Sequence, residues 1–256
     1  MNLKALADRT GASLAVKHEP NKDKIVISLY DYTGEAVKPW AERGYTCFCY
    51  DIQHRGVNRI EYPMGGSITF TRMDLYDPAA LKVLAGRFPK RNVVFGQAFP
   101  VCTDMAVSGA RHFDKKALLN PDFQVQAADK AKAASQLFLQ IGCPYYIENP
   151  VSVLSTLWRK PDHTFHPFEY GGYIPASKSQ HPTYPDYIAP RDAYSKKTCL
   201  WTGGGFTMPR KLPVDCDSIG ASQQYKKLGG KSIKTKNIRS ATPRGFAEAV
   251  YQANKG

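Results

Sequence analysis

The feature that most constrains the fold of this chain is a series of five short apolar segments. Each segment has the length and the β-branched or aromatic content of a buried strand. The segments are Lys24–Tyr30, Thr46–Asp51, Ser67–Met73, Asn92–Phe95 and Tyr145–Ile147. Helical patterns lie between them, over Ala36–Arg43, Pro78–Phe88 and Gln126–Ile141. Strands that alternate with helices predict an α/β fold with a mostly parallel sheet.

The residues that follow these strands are the candidates for a binding site. Ligands of parallel α/β sheets bind beyond the carboxyl ends of the strands. The residues at those ends are Asp31–Glu35, Asp51, Asp74, Pro100–Asp104 and Glu148–Pro150. An acidic side chain after the second strand, here Asp51, can accept hydrogen bonds from ribose hydroxyl groups, as in dinucleotide-binding folds.

The composition divides the chain into three parts. Residues 1–158 carry the alternating strands and helices and are predicted to form the core, with an N-terminal helix or arm over residues 1–22. Residues 159–240 are rich in Pro, Tyr, Gly and His and are predicted to be an irregular insertion that recognises the substrate. Residues 241–256 are predicted to form a C-terminal helix, over Phe246–Ala253, that packs back on the core.

The charge of the chain indicates a polyanionic partner. The 256 residues hold 35 Lys and Arg against 22 Asp and Glu, a net charge of +13. Such a surplus is typical of proteins that bind nucleic acid, anionic membranes or phosphorylated small molecules. The acid-free run Lys226–Arg244, predicted as a basic loop, is the strongest local concentration. The absence of a long apolar stretch excludes a membrane span, and an N-terminus without a signal-peptide pattern predicts a cytoplasmic protein.

The six cysteines form no C-x-x-C pair, so they do not indicate a zinc finger. His163, His166, His181 and Cys199 have no standard metal-ligand spacing, and Cys199 is predicted to lie in a core strand. Cys102 differs from the other cysteines because it follows the fourth strand and a proline, where a thiol can be accessible. This position makes Cys102 the candidate nucleophile.

Three strand-end segments resemble, in order, motifs of the C5-cytosine DNA methyltransferases, especially the compact members borne by phages. Leu29–Glu35 lies where that family has its L-F-x-G-x-G-G loop. Phe99–Thr103 resembles its P-P-C catalytic loop, and Ile147–Pro150 resembles its E-N-V motif. The resemblance covers roughly residues 25–155. It implies a Rossmann-like fold that binds S-adenosylmethionine and methylates cytosine in DNA, in a bacterium or a phage-infected cell.

The resemblance also implies roles for individual residues. Cys102 would attack C6 of cytosine, Glu148 would stabilise N3, and Arg239 would stand in for the Q-x-R-x-R motif, with Arg191 as another candidate. The cofactor-binding residues would be Tyr30, Asp31, Thr33, Gly34, Asp51, Ile52, Asp74, Leu75 and Pro100. The substrate-binding residues would be Thr103, Asn149, Lys231, Lys234 and Lys236. Asn149 would also hold the catalytic loop.

Two other functions are compatible with the same residues. The lack of a large recognition domain favours an enzyme that methylates a free pyrimidine nucleotide. Only Gly34 remains of the family's glycines in the first loop, which favours a degenerate homologue that binds nucleic acid without catalysis. The sequence leaves open whether the chain acts as a monomer or a homodimer.

Overall fold

The computed structural model describes residues 21–216, 224, 227–229 and 232–255. Within these residues the chain forms an α/β fold around one eight-stranded sheet. The strands are β1 (Ile25–Leu29), β2 (Thr46–Asp51), β3 (Val57–Glu61), β4 (Ser67–Arg72), β5 (Val93–Ala98), β6 (Tyr145–Pro150), β7 (His163–Phe165) and β8 (Thr198–Gly203). Their order across the sheet is β3-β4-β2-β1-β5-β6-β8-β7.

The central strands β4, β2, β1, β5 and β6 are mutually parallel. β1 pairs with β2 on one side and with β5 on the other, so the chain reverses its direction across the sheet between these pairs. This is the switch point of a doubly wound sheet, where the loops after the two strands diverge and leave a crevice. The flanking strands are antiparallel: β3 to β4, β8 to β6, and β7 to β8.

Helices cover both faces of the sheet. They are α1 (Lys38–Ala41), α2 (Pro78–Arg87), α3 (Phe113–Leu119), α4 (Phe123–Ile141), α5 (Leu154–Leu157), α6 (Ile233–Ser240) and α7 (Arg244–Asn254). α2 and α4 pack on the face that carries Ile27 and Leu29, whereas α1 and α7 pack on the face that carries Val26. Successive side chains of a strand point to opposite faces, so β1 contributes to both cores and is fully buried at these three residues.

The predicted α/β class and all five predicted strands are confirmed, within a few residues at their ends. The predicted helix at residues 36–43 is reduced to the four residues of α1, whereas α2, α4 and the C-terminal helix α7 are close to their predictions. The sequence did not predict the edge strand β3, whose residues are all exposed, nor the short helix α3. The prediction of an arm over residues 1–22 lies almost wholly outside the described residues. None of the described helices is long and apolar enough to cross a bilayer.

The described part of residues 159–240 is more regular than predicted. They supply β7 and β8, which extend the sheet of the preceding residues. The prediction that Cys199 lies in a core strand is confirmed, since β8 contains it and it is buried. The prediction of a basic loop is wrong for α6, because Ser232 caps a helix there by accepting a hydrogen bond from the Thr235 amide at 3.1 Å. Ile238 then anchors this helix in the interior.

The close packing of β5 against α4 gives a prediction about stability. A Cβ atom on Gly96 would come within 2.3 Å of the buried Phe138 ring, whereas a Cβ atom on Gly86, in α2, would meet no atom within 4 Å. Gly96→Ala is expected to destabilise the fold by about 1–3 kcal/mol through overpacking. Gly86→Ala, the matched control, is expected to stabilise it by up to about 1 kcal/mol through helix propensity. Urea unfolding of both variants measures the difference; equal effects would contradict the packing described for β5.

Candidate functional site

A cleft of about 410 Å³ opens at the carboxyl ends of β1, β5 and β6, beside the switch point of the sheet. The beginning of β8 and one side of α6 complete its wall. Many of the residues predicted from the sequence line it. They are Tyr30, Asp31, Thr33, Asp51, Pro100, Cys102, Thr103, Glu148, Asn149, Lys236 and Arg239. Tertiary structure therefore brings together residues that are up to 209 positions apart in the chain (239 − 30).

The loop after β1 is a tight turn organised by Asp31. The buried Asp31 carboxylate accepts hydrogen bonds from the Ser28 hydroxyl at 2.7 Å and from the Gly34 amide at 2.8 Å. Tyr30 has a φ of 57° and Gly34 a φ of 70°, so the chain passes twice through the left-handed region. Gly34 is required here, because a Cβ atom would also lie 2.8 Å from the Phe70 ring.

The Asp31 carboxylate serves the turn more directly than it serves the cleft. Its hydrogen bonds occupy both oxygens, and the Thr33 hydroxyl approaches the oxygen shared with Gly34. Burial raises the pKa of Asp31, and the nearby Asp51 carboxylate adds to this effect. Asp31 therefore fixes the shape of the loop that lines the cleft.

Asp51, at the end of β2, presents a carboxylate oxygen that is available to a ligand. Its Oδ1 atom accepts a hydrogen bond from the Gln53 amide at 2.8 Å. Its other oxygen has no hydrogen-bond partner among the described residues. The neighbouring Ile52, which was predicted to bind the cofactor, is 48% exposed and does not line the cleft, whereas Gln53 does.

Asp74 and Leu75, which were predicted to bind the cofactor, do not line the cleft. The exposed Asp74 carboxylate accepts a hydrogen bond from the Tyr76 amide at 2.9 Å, and it does not line the cleft. The Leu75 side chain is buried in the core, and the carbonyl group of Leu75 accepts a hydrogen bond from the Tyr30 hydroxyl at 3.2 Å. Leu75 therefore supports Tyr30, which does line the cleft.

The Cys102 loop is held in place by β6. The Asn149 side-chain amide, 1% exposed, donates a hydrogen bond to the Pro100 carbonyl at 2.9 Å. The Cys102 carbonyl accepts hydrogen bonds from the Met105 and Ala106 amides, which closes the loop into a turn. Asn149 thus holds the loop that carries Cys102, as the sequence predicted. Cys102 is thereby fixed with its side chain half-buried in the cleft.

Burial and a neighbouring charge shift the pKa of Cys102 and of Glu148. Burial raises the pKa of the Cys102 thiol, and the Glu148 carboxylate raises it further. Burial also raises the pKa of Glu148, because it disfavours the charged carboxylate, whereas the Lys196 ammonium group acts in the opposite direction. Glu148 has no hydrogen-bond partner among the described residues, which leaves both of its oxygens available to a ligand.

Lys196 is a cleft residue that the sequence analysis missed. Its ammonium group donates a hydrogen bond to the Arg239 carbonyl at 2.8 Å, which links the start of β8 to α6. Lys196 precedes β8, and the sequence did not predict that β8 pairs with β6. No local pattern therefore indicated that Lys196 lies in the cleft. The Arg239 guanidinium donates to the Leu228 carbonyl and is partly engaged in holding its own segment.

The predicted substrate-binding lysines do not all reach the cleft. Lys236 lines it, whereas Lys234 is exposed over the ring of Tyr187, 5.7 Å from the ring centre. Lys231 lies outside the described residues. Within the described part of the chain, no group of three or more His, Cys, Asp or Glu side chains could hold a metal ion.

The raised pKa of Glu148 leads to a prediction about stability and pH. An acid whose pKa is higher in the folded than in the unfolded state costs stability as the pH rises from about 4.3, the unfolded value, through the folded value. The Gln side chain of Glu148→Gln cannot ionise, so the stability of this variant relative to the wild type should rise between these two pH values. The gain should be about 1.4 kcal/mol for each pKa unit between the folded and the unfolded value. Urea unfolding from pH 4 to pH 8 measures this. Glu42→Gln, at the exposed carboxyl end of α1, gives the effect of net charge, because Glu42 has no ion pair among the described residues. A gain independent of pH in Glu148→Gln would contradict the burial described for Glu148.

Comparison with known proteins does not assign this chain to a family. No protein-family description matches it, and no curated protein matches it either. The residues of the cleft and their chemistry are therefore the basis on which a function can be proposed.

Proposed function

We propose that this chain transfers a methyl group from S-adenosylmethionine to C5 of cytosine in DNA. One observation carries the proposal: the thiol of Cys102 and the carboxyl group of Glu148 line the same cleft, at the switch point of a doubly wound sheet. A thiol and a carboxyl group that keeps its proton are the two groups that addition to a pyrimidine ring needs. The order of the strand-end motifs in the sequence supports the same reaction.

The two side chains have complementary roles in this reaction. The Cys102 thiolate forms a bond to C6, and the electron pair displaced from the C5–C6 double bond moves through the ring to N3. Glu148 donates its proton to N3, which neutralises that charge and leaves C5 nucleophilic. C5 would then form a bond to the methyl group as the methyl–sulfur bond of the sulfonium donor breaks, and the donor would leave as a neutral thioether. Glu148 would take back the N3 proton. Removal of the C5 proton by a base then restores the double bond and expels the Cys102 thiolate.

The cleft has features that suit S-adenosylmethionine, which supplies the electrophilic methyl group when it is bound. A volume of about 410 Å³ lies in the range of pockets that bind small molecules. The carboxylate oxygen of Asp51 that has no partner among the described residues can accept hydrogen bonds from ribose hydroxyl groups. Tyr30, Thr33 and Pro100 would provide the neighbouring contacts. These residues surround the same opening as Cys102, so the cofactor and the base would share one cleft.

The charge of the chain supports DNA as the substrate. A surplus of 13 positive charges favours binding to a phosphate backbone, and α6 carries Lys236 on the cleft wall and Lys234 nearby. A cytosine in a duplex must leave the base stack to reach a cleft of this kind, at a cost of a few kcal/mol. Backbone contacts made by such lysines provide binding energy that offsets this cost.

A free pyrimidine nucleotide is the second candidate substrate, and one observation favours it. The strands β7 and β8 of residues 159–240 extend the central sheet, which leaves less of this segment to form a separate DNA-recognition unit. The same chemistry at Cys102 and Glu148 would serve a nucleotide. Lys196, Lys236 and Arg239 in the cleft could bind its phosphate group.

A trapped covalent adduct would test the reaction. In DNA whose cytosines are replaced by 5-fluorocytosine, C5 carries no proton that a base can remove, so the bond from Cys102 to C6 persists after methyl transfer. Wild-type protein with S-adenosylmethionine should form a complex that survives denaturing electrophoresis, and Cys102→Ala should form none. Cys216→Ala is the matched control, because Cys216 is the other half-buried cysteine and does not line the cleft.

The outcomes of this experiment separate the candidate functions. An adduct with Cys102→Ala, or an adduct lost with Cys216→Ala, would contradict the role of Cys102. If the wild type forms an adduct with 5-fluorodeoxycytidine monophosphate and not with DNA, the nucleotide is the substrate. If calorimetry detects no binding of S-adenosylmethionine to the wild type, the chain is a homologue without catalysis, and the proposed function is wrong.

The salt dependence of DNA binding distinguishes backbone contacts from general attraction. Each phosphate contact contributes about 0.9 to the slope of log K against log salt concentration. Replacing Lys234 and Lys236 together by Ala should therefore reduce the steepness of this slope by up to roughly the contribution of two phosphate contacts. Lys82 and Lys90, which are exposed and line none of the clefts described here, provide a control pair with the same loss of charge. Fluorescence anisotropy at several salt concentrations measures both slopes; equal flattening would contradict a specific role for α6.

A further inference from the structure

We propose that Lys196 is a positioning residue of this site, whose ammonium group stabilises the thiolate form of Cys102. This inference rests on the proposed function in one respect, that Cys102 acts as a nucleophile. Lys196 belongs to none of the sequence motifs that indicated the reaction, and its role follows from the arrangement of the strands.

The antiparallel pairing of β8 with β6 determines where Lys196 lies. Pro150, the last residue of β6, pairs with Thr198, the first residue of β8. The start of β8 therefore lies at the edge of the sheet where the parallel strands end, which is the edge that carries the cleft. Lys196 is two residues before Thr198, whose hydroxyl group donates a hydrogen bond to the Lys196 carbonyl at 3.1 Å. Had β8 run parallel to β6, its first residues would lie at the opposite edge.

Lys196 lines the main cleft together with Cys102 and Glu148, and with Glu148 it also lines a small adjoining cavity. One hydrogen of its ammonium group is used in the bond to the Arg239 carbonyl. Because a lysine ammonium group has three hydrogens, two remain available for groups in the cleft.

The thiol of Cys102 requires a nearby positive charge in order to ionise. Burial and the Glu148 carboxylate both raise its pKa, and Asp104 on the same loop acts in the same direction. Lys196 lowers the pKa of Cys102 and also that of Glu148, so its charge favours the ionised form of both groups. A second lysine contacts the same loop, since the Lys116 ammonium group donates hydrogen bonds to the Thr103 carbonyl and to the Asp104 carboxylate. Further charged or titratable groups around Cys102 are Tyr30, Asp31, Tyr32, Asp51, Tyr76, Lys236 and Arg239.

The ionisation itself transfers one proton and no other group. The Cys102 sulfur loses its proton to solvent and keeps the electron pair, which then forms the bond to C6. Lys196 keeps its own proton throughout, because its role is to supply a fixed positive charge. One ammonium group beside a thiol and a carboxyl group thus compensates the single negative charge that the pair carries when either of them is ionised.

The rate of alkylation of Cys102 by iodoacetamide tests this inference without any methylation. The thiolate is the reactive form, so the rate as a function of pH reports the ionisation of Cys102. In Lys196→Met the rate at pH 7.5 should fall by roughly tenfold and the profile should move to higher pH, since an opposite charge at short range lowers a pKa by a unit or more. Lys196→Arg, which keeps the charge, should retain most of the wild-type rate. Mass spectrometry of the peptide that contains Cys102 measures the rate, with the Cys216 peptide as an internal reference.

Lys197→Met is the matched control, because Lys197 is the adjacent lysine, is exposed and does not line the cleft. A shift in Lys196→Met that is absent in Lys197→Met supports the inference. An unchanged profile in Lys196→Met, or an equal shift in both variants, overturns it. If Lys196→Met does not fold, loss of the wild-type profile in Lys196→Gln with retention in Lys196→Arg supports the inference, and retention in both overturns it.

The same variants separate this inference from the proposed function. If no substrate is methylated by the wild type, the proposed function fails, yet the alkylation profile still decides whether Lys196 controls Cys102. Where methylation is observed, Lys196→Met should lower kcat and move its acidic limb to higher pH, with little change in KM for DNA. A change confined to KM would assign Lys196 to substrate binding and overturn its role at the thiol.

Discussion

The parallel pairing of β1 with β2 on one side and with β5 on the other is the constraint on which the rest of the structure depends. Because the chain turns in opposite directions after these strands, helices pack on both faces and the loops at the carboxyl ends diverge. The resulting crevice receives the turn after β1, the Cys102 loop after β5 and Glu148 at the end of β6. The packing that holds these strands, such as the contact of Gly96 with Phe138, therefore also sets the position of the reactive groups.

Burial at this crevice disfavours the ionised forms of the two groups, Cys102 and Glu148. Cys102 and Glu148 are both half-buried, and for both groups burial favours the neutral form. In the proposed reaction this effect is useful for a carboxyl group that donates a proton and unfavourable for a thiol that acts as a nucleophile. The proposed reaction would therefore depend on a positive charge near the thiol, and the antiparallel strand β8 brings Lys196 into the same cleft.

Predictions from the sequence succeeded where the signal is local. Short runs such as Thr46–Asp51 were identified because a buried strand needs consecutive apolar side chains, and α4 because its apolar residues recur at helical spacing. The sequence did not indicate β3, whose exposed residues leave no apolar pattern, nor α6, whose buried residues include Thr235 and Asn237. Polar side chains that are buried in a helix contribute nothing to a hydrophobic period.

The sequence by itself determined the α/β class, the strand-end positions of Asp51, Cys102 and Glu148, and the excess of positive charge. Each of these depends on residue type and on spacing along the chain. Only the tertiary structure decided which strand ends face one another, that Asp74 and Leu75 lie outside the cleft, and that Lys196 lines the same cavities as Glu148. The physical reason is that the order and direction of strands are set by packing between segments that are distant in sequence. The residues before a strand, such as Lys196, do not indicate which other strand it will pair with.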